Sequence, residues 1–131
     1  DQFERWVIAL TSAIADAVHA RYPAVPVIGF PKGAGAKLAA YARETGVDAL
    51  GLDETIDPLW VAAELPGDLP LQGNLDPLLL LAGGEQLERR ARWIVEAFEG
   101  RPHVFNLGHG IIPETPLEHV SRLIDIVKGR G

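Results

Sequence analysis

His109 stands between two glycines in "NLGHG", three residues after Asn106. An imidazole with so little packed around its backbone can donate, accept or titrate near neutrality. The same placement suits a turn histidine that only hydrogen-bonds a backbone carbonyl, so ligand and turn readings stand side by side. "KGAGAK", residues 32–37, offers glycine N–H groups and Lys32 where a strand gives way to a helix, an arrangement able to meet an anion. It is not a nucleotide fingerprint. Gly-Lys-Ser/Thr is missing, and Leu38 occupies the place of the third small residue in a dinucleotide motif. A plain turn into a closely packed helix explains it as well. "GLDETIDP" carries Asp53, Glu54 and Asp57. Asp57 precedes Pro58 and reads as a helix cap; Asp53, at a strand end, fits a general base or an orienting group, and equally a cap. In "LQGNLDP", Gln72 and Asn74 are two apart and expected on one side of a strand, as buried amides bonding neighbouring loops. No metal site is expected: His19 and His119 fall on helical segments, His103 precedes a strand, and no set of three ligands converges.

The elements that must position these residues follow one grammar. "DQFERWVIALTSAIADAVHARYP" puts Phe3, Val7, Leu10, Ile14 and Val18 on one helical face beside Trp6. "PVIGF" at 26–30 then reads as a strand, and the helix after it closes at Gly46. "VDALGLD" at 47–53 and "LPLQGNL" at 69–75 are the next strands. Each is followed by Asp-Pro, the aspartate capping and the proline entering the first turn. Leu87, Ala91, Ile94, Val95 and Phe98 form a helical stripe before a fourth strand, "HVFNLG", at 103–108. Thr115, Pro116 and Glu118 read as a capping box with proline at the first helical position, followed by Leu117, Val120, Ile124 and Val127 at helical spacing and ended by Gly129.

Strands alternating with helices make an α/β protein with a parallel sheet. Two architectures share that order: an open doubly wound sheet, and a (β/α)8 barrel of ~250 residues at ~30 per unit. Four units in 131 residues are a complete small sheet or half a barrel. Either way, Lys32, Asp53, Gln72, Asn74, Asn106 and His109 fall at or near the rim where such folds bind ligands.

Composition narrows the function. A net charge of −6 opposes binding to nucleic acid or an anionic membrane, since both need clustered Lys and Arg. The absence of cysteine removes disulfides, thiolate metal sites and a cysteine nucleophile, and fits a reducing, cytoplasmic setting. The longest apolar run, "PLLLLAG", falls far short of the ~20 residues that cross a bilayer. The chain has no methionine and opens on residues that already read as helix, so an amino-terminal part is expected before Asp1.

Taken in order, "PVIGFPKGAG", "GVDALGLD", "LPLQGNLDP" and above all "FNLGHGIIPETPLEHVSRLIDIV" resemble the carboxy-terminal part of the uroporphyrinogen decarboxylase family. The resemblance runs the length of the chain. It implies the carboxy-terminal half of a TIM barrel, its last four βα units, spanning 1–131. It also implies loss of carbon dioxide from the four acetate side chains of uroporphyrinogen, giving coproporphyrinogen, without metal or organic cofactor, in a homodimer with adjoining clefts. By motif, His109 matches the family's substrate-contacting histidine; Asn106, Lys32 and Asp53 are candidate rim contacts. The family's substrate-gripping arginines and cleft aspartate are expected in the amino-terminal half-barrel, the partner of this chain. Two alternatives stand beside this reading. A related barrel methyltransferase that activates a thiol on zinc for transfer to a corrinoid depends on cysteine ligands, which are missing here. The other is a non-enzymatic α/β module that binds a small anion.

Overall fold

In the computed structural model, which describes residues 1–130, the winding of the sheet separates the two architectures left open by the pattern. A helical segment leads in, a π-helical stretch Glu4–Ile8 continuing as α1 (Ala9–Arg21). Then β1 (Ile28–Gly29) is followed by α2 (Leu38–Glu44), and β2 (Ala49–Gly51) by α3 (Pro58–Glu64). Next, β3 (Leu71–Leu75) leads to α4 (Pro77–Ala82) and α5 (Gly84–Ala97), and β4 (His103–Leu107) to α6 (Leu117–Val127). All neighbouring strands pair in parallel, in the order β1-β2-β3-β4. A doubly wound sheet reverses its order at a switch point; this one advances without reversal, as strands around a barrel do. The fold is therefore α/β, a partial TIM barrel.

Leu50, Leu71 and Leu75 on the strands pack with Leu38, Val61, Leu87, Ile94 and their neighbours into one buried core. Burying each such leucine is worth about 1.5–3 kcal/mol relative to exposure. Other strand residues, Ile28 and Val104 among them, remain exposed, Val104 by 57%. At the open edge, β4 and α6 bound an apolar groove of about 260 Å³ lined by Leu80, Phe105, Val120 and Leu123.

Two helix starts follow the expected chemistry and one departs from it. Asp57 accepts from the Leu59 N–H at 2.9 Å and Asp76 from the Leu78 N–H at 2.8 Å, each with proline entering the first turn. The capping box at Thr115 does not form. Pro116 is extended (φ −61°, ψ 135°) and is itself the cap residue, so α6 begins at Leu117 and the Thr115 hydroxyl is buried without a partner. The apolar stripes shift in the same way. On α6 the buried residues are Leu123 and Ile126, while Leu117 is 82% exposed. On α5 Val95 is exposed, whereas Leu87, Ala91 and Ile94, with Phe98 just beyond its end, are buried. At the leading helix Ile8 and Ala15 face inward, and Trp6, Leu10 and Ile14 are exposed. The π-helical stretch Glu4–Ile8 shifts the phase of the residues before α1.

The rim is held by the loop after β2. Asp53, 3% exposed, accepts from the Gly33 N–H at 2.7 Å, and from the backbone N–H and hydroxyl of Thr55. Asn74, 1% exposed, donates to the carbonyls of Asp53 (2.9 Å) and Ile56 (2.7 Å). Gly108, which donates to the Leu75 carbonyl at 2.7 Å, lies so close to the Glu54 backbone that a Cβ would overlap it. The end of β3 and the segments after β1 and β4 thus all bear on residues 53–56.

At the opposite end, the Asp48 carboxylate accepts from the Val27 N–H and pairs with His19 Nε2, both at 2.7 Å. Those two hydrogen bonds, the backbone one first, hold Asp48 below the usual carboxylate range.

Removing the Asn74 amide should leave two buried carbonyls unpaired. We expect Asn74→Ala to destabilise the protein by about 1–3 kcal/mol, and Gly108→Ala by a similar amount through overpacking. Thr115→Val, which removes an unpartnered buried hydroxyl, should be neutral or stabilising. Chemical denaturation of the three variants checks the order; an Asn74→Ala protein as stable as its parent would contradict the rim account.

Candidate functional site

The carboxy-terminal ends of the strands open on a cleft of about 600 Å³. Its walls are Ile28, Phe30, Gly51, Leu52, Leu107 and Ile111, with Gln72, Asn106 and His109 supplying the polar side chains. Phe30 ends the first strand run, and its ring lies over Gly51, where a Cβ would come within 2.8 Å of Phe30 Cδ2. Glycine at 51 therefore leaves room for an aromatic side chain against the strand. Among the described residues, no lysine, arginine, aspartate or glutamate lines the cleft.

The four expected site residues separate into two groups. His109 and Asn106 are brought to the same cleft. Asn106 Oδ1 accepts from the Leu107 N–H at 2.8 Å, which fixes the amide against its own strand. Lys32 and Asp53 belong to the adjoining rim. Lys32 Nζ meets Glu54 Oε1 at 2.9 Å, and Asp53 is enclosed by the donors that hold the loops together. The N–H of Gly33, the group that the glycine-rich loop would offer an anion, is already given to the protein's own carboxylate.

Burial acts to raise the Asp53 pKa, but hydrogen bonds from Thr55 and Gly33, with the Lys32 charge, outweigh it and leave it below the usual range. A carboxylate so stabilised is a poor proton acceptor. Glu54 is also held low, by its own backbone N–H and by Lys32, against the opposing effect of burial. Its second oxygen is buried with no hydrogen-bond partner.

Three of the four histidines are engaged away from the cleft. His103 Nε2 donates to the Gly73 carbonyl at 2.6 Å, and burial, above all, depresses its pKa. His119 Nδ1 meets the Leu80 carbonyl at 2.9 Å, and His19 holds Asp48. His109 is exposed at the cleft and makes no hydrogen bond among the described residues. Gln72 and Asn74, expected side by side, part company: Asn74 is the buried amide that bonds the neighbouring loop, and Gln72 lines the cleft. Phe30 was beyond sequence reasoning, since an aromatic residue at a strand end reads as core.

The arrangement suits a ligand that meets apolar walls and a few hydrogen-bonding side chains, with an imidazole at the edge. Among the described residues, no three His, Cys, Asp or Glu side chains gather as metal ligands, and no helix is long and apolar enough to cross a membrane.

Comparison with known proteins bears on this cleft. The family model described as uroporphyrinogen decarboxylase (URO-D) matches residues 1–130. A protein of Novosphingobium aromaticivorans named uroporphyrinogen decarboxylase is 67% identical over 128 residues, which are 98% of this chain and 38% of that protein. Proteins of the same name from Rhizorhabdus wittichii and Sphingopyxis alaskensis are 64% and 61% identical, again over 98% of this chain and 37% of their own lengths. The chain thus spans less than two-fifths of these relatives, corresponding to a carboxy-terminal portion. Matched by the family model across all the residues described, this chain belongs to the uroporphyrinogen decarboxylase family.

Proposed function

We propose that residues 1–131 are the carboxy-terminal half-barrel of a carboxy-lyase that converts the four acetate side chains of uroporphyrinogen to methyl groups, giving coproporphyrinogen in porphyrin biosynthesis. The observation that carries this reading is the delivery of His109, on its bare Gly108–Gly110 loop, to the cleft at the strand ends, beside the apolar Phe30, Leu52 and Ile111 and the amides of Gln72 and Asn106. Each decarboxylation begins with a proton placed on a pyrrole carbon. The bond between the acetate methylene and its carboxylate then breaks, carbon dioxide leaves, and the bonding electrons neutralise the ring. A second proton, on the exocyclic carbon, completes the methyl group, and loss of the first proton from the ring carbon restores the pyrrole, so that one proton is consumed for each carbon dioxide released.

His109 is the group placed to contact substrate and to assist one of the proton transfers. Asn106 is a neighbouring rim contact. Lys32 acts at the edge of the site, through its pair with Glu54, and Asp53 acts beneath it by holding the loops. The cleft lining supplies neither the cations that grip a polycarboxylate nor an anion to face the pyrrole N–H groups. Those roles belong to the amino-terminal half-barrel, which pairs with the free edges of β1 and β4. The complete protein works in the cytoplasm as a homodimer and needs no cofactor.

The 131-residue segment alone should not turn over uroporphyrinogen, and should associate in solution through its unpaired edges. In the complete protein, His109→Ala should lower kcat/KM by about a hundredfold with little change in the unfolding midpoint. Assay of the variant by porphyrin product analysis checks this; unchanged turnover would remove His109 from the site.

A further inference from the structure

Gln72 is the one cleft side chain with hydrogen-bonding capacity left wholly unused and no role assigned to it. It is half-buried, lines the cleft with His109, and its amide makes no hydrogen bond among the described residues. The other amide in the cleft, Asn106, has its oxygen committed to the Leu107 N–H. Gln72 also stands at the middle of the sheet. In register it is paired with Gly51 on one side and Val104 on the other, so no large polar neighbour competes for its amide. Phe30, which packs over Gly51, lines the same cleft.

A primary amide has two N–H donors and one carbonyl acceptor. Facing a polycarboxylate, its donors are the groups that find partners. Because the amide is neutral, it fixes the direction of a carboxylate without stabilising the charge as a guanidinium does. That distinction matters for the carboxylate being lost. A cation beside it deepens the ground state and raises the barrier, whereas a neutral donor orients it at less cost.

We propose that Gln72 is a substrate-contacting residue whose Nε2 donates to the carboxylate of the acetate undergoing decarboxylation. This rests on the decarboxylase reading above. The test uses the complete protein with uroporphyrinogen and compares Gln72→Leu with the isosteric Gln72→Glu. Loss of the donor in Gln72→Leu should lower kcat/KM by about tenfold. Gln72→Glu should be worse, by about a hundredfold or more, because it sets like charges against each other. A purely structural role gives the opposite order, since the isosteric change disturbs packing least; that order, or wild-type kinetics in Gln72→Glu, would overturn the proposal. If Gln72→Leu fails to fold, Gln72→Glu against the parent carries the comparison. Absence of turnover in the unsubstituted protein would defeat the decarboxylase reading and this proposal with it, whereas normal turnover with unaffected variants would defeat this proposal alone.

Discussion

The burial of one ionised carboxylate constrains the whole rim. Asp53 leaves water at the end of β2 and remains charged only because Gly33 and Thr55 surround it with donors. A buried charge without such partners is expensive, so the loop after β1 is drawn to the loop after β2. Asn74 then adds the end of β3 through two carbonyls, and Gly108 brings in the end of β4 by close approach. The linkage has a definite sign. The folded-state pKa of Asp53 is lowered, so its contribution is complete above the unfolded value of about 3.9 and is lost as pH falls through the lower folded value.

The same economy explains why His109 differs from the other histidines. His19, His103 and His119 each meet an acceptor in the fold, and His103 is kept neutral chiefly by burial. His109 follows a glycine that must be glycine for the loop to pack on Glu54. Its backbone is therefore pinned while its side chain has no partner among the described residues, the condition in which an imidazole is available to a ligand. Lys32 shows the reverse: a cation at the rim, occupied by Glu54.

Much of this was legible in the sequence where local chemistry decides. Four strands lie where the alternating pattern expects them, and the two Asp-Pro starts form as written. The resemblance read from the motifs agrees with the family match. Features set by tertiary context were not legible. Thr115 has the right residues around it for a cap, but the extended Pro116 moves the helix start past it. Helical spacing placed Leu10, Ile14 and Leu117 on apolar faces without saying which part of each face meets a neighbour. Gln72 and Asn74 share a strand and a chemistry, yet only the loop at 53–56 distinguishes the amide that holds structure from the one left to the cleft. The order of the strands also lay outside the pattern, and it is what separates barrel winding from a doubly wound sheet.

The central claim is that the Asp53 loop holds a rim from which His109 faces the cleft at the strand ends, proposed to receive substrate. Its most direct test is a crystal structure of the complete protein with coproporphyrinogen bound. The account predicts the macrocycle lying against Phe30, with an imidazole nitrogen of His109 within about 3.2 Å of a product polar atom and Asp53 still enclosed by Gly33 and Thr55. A macrocycle bound elsewhere, or an Asp53 carboxylate turned out of its loop to meet the product, would contradict it.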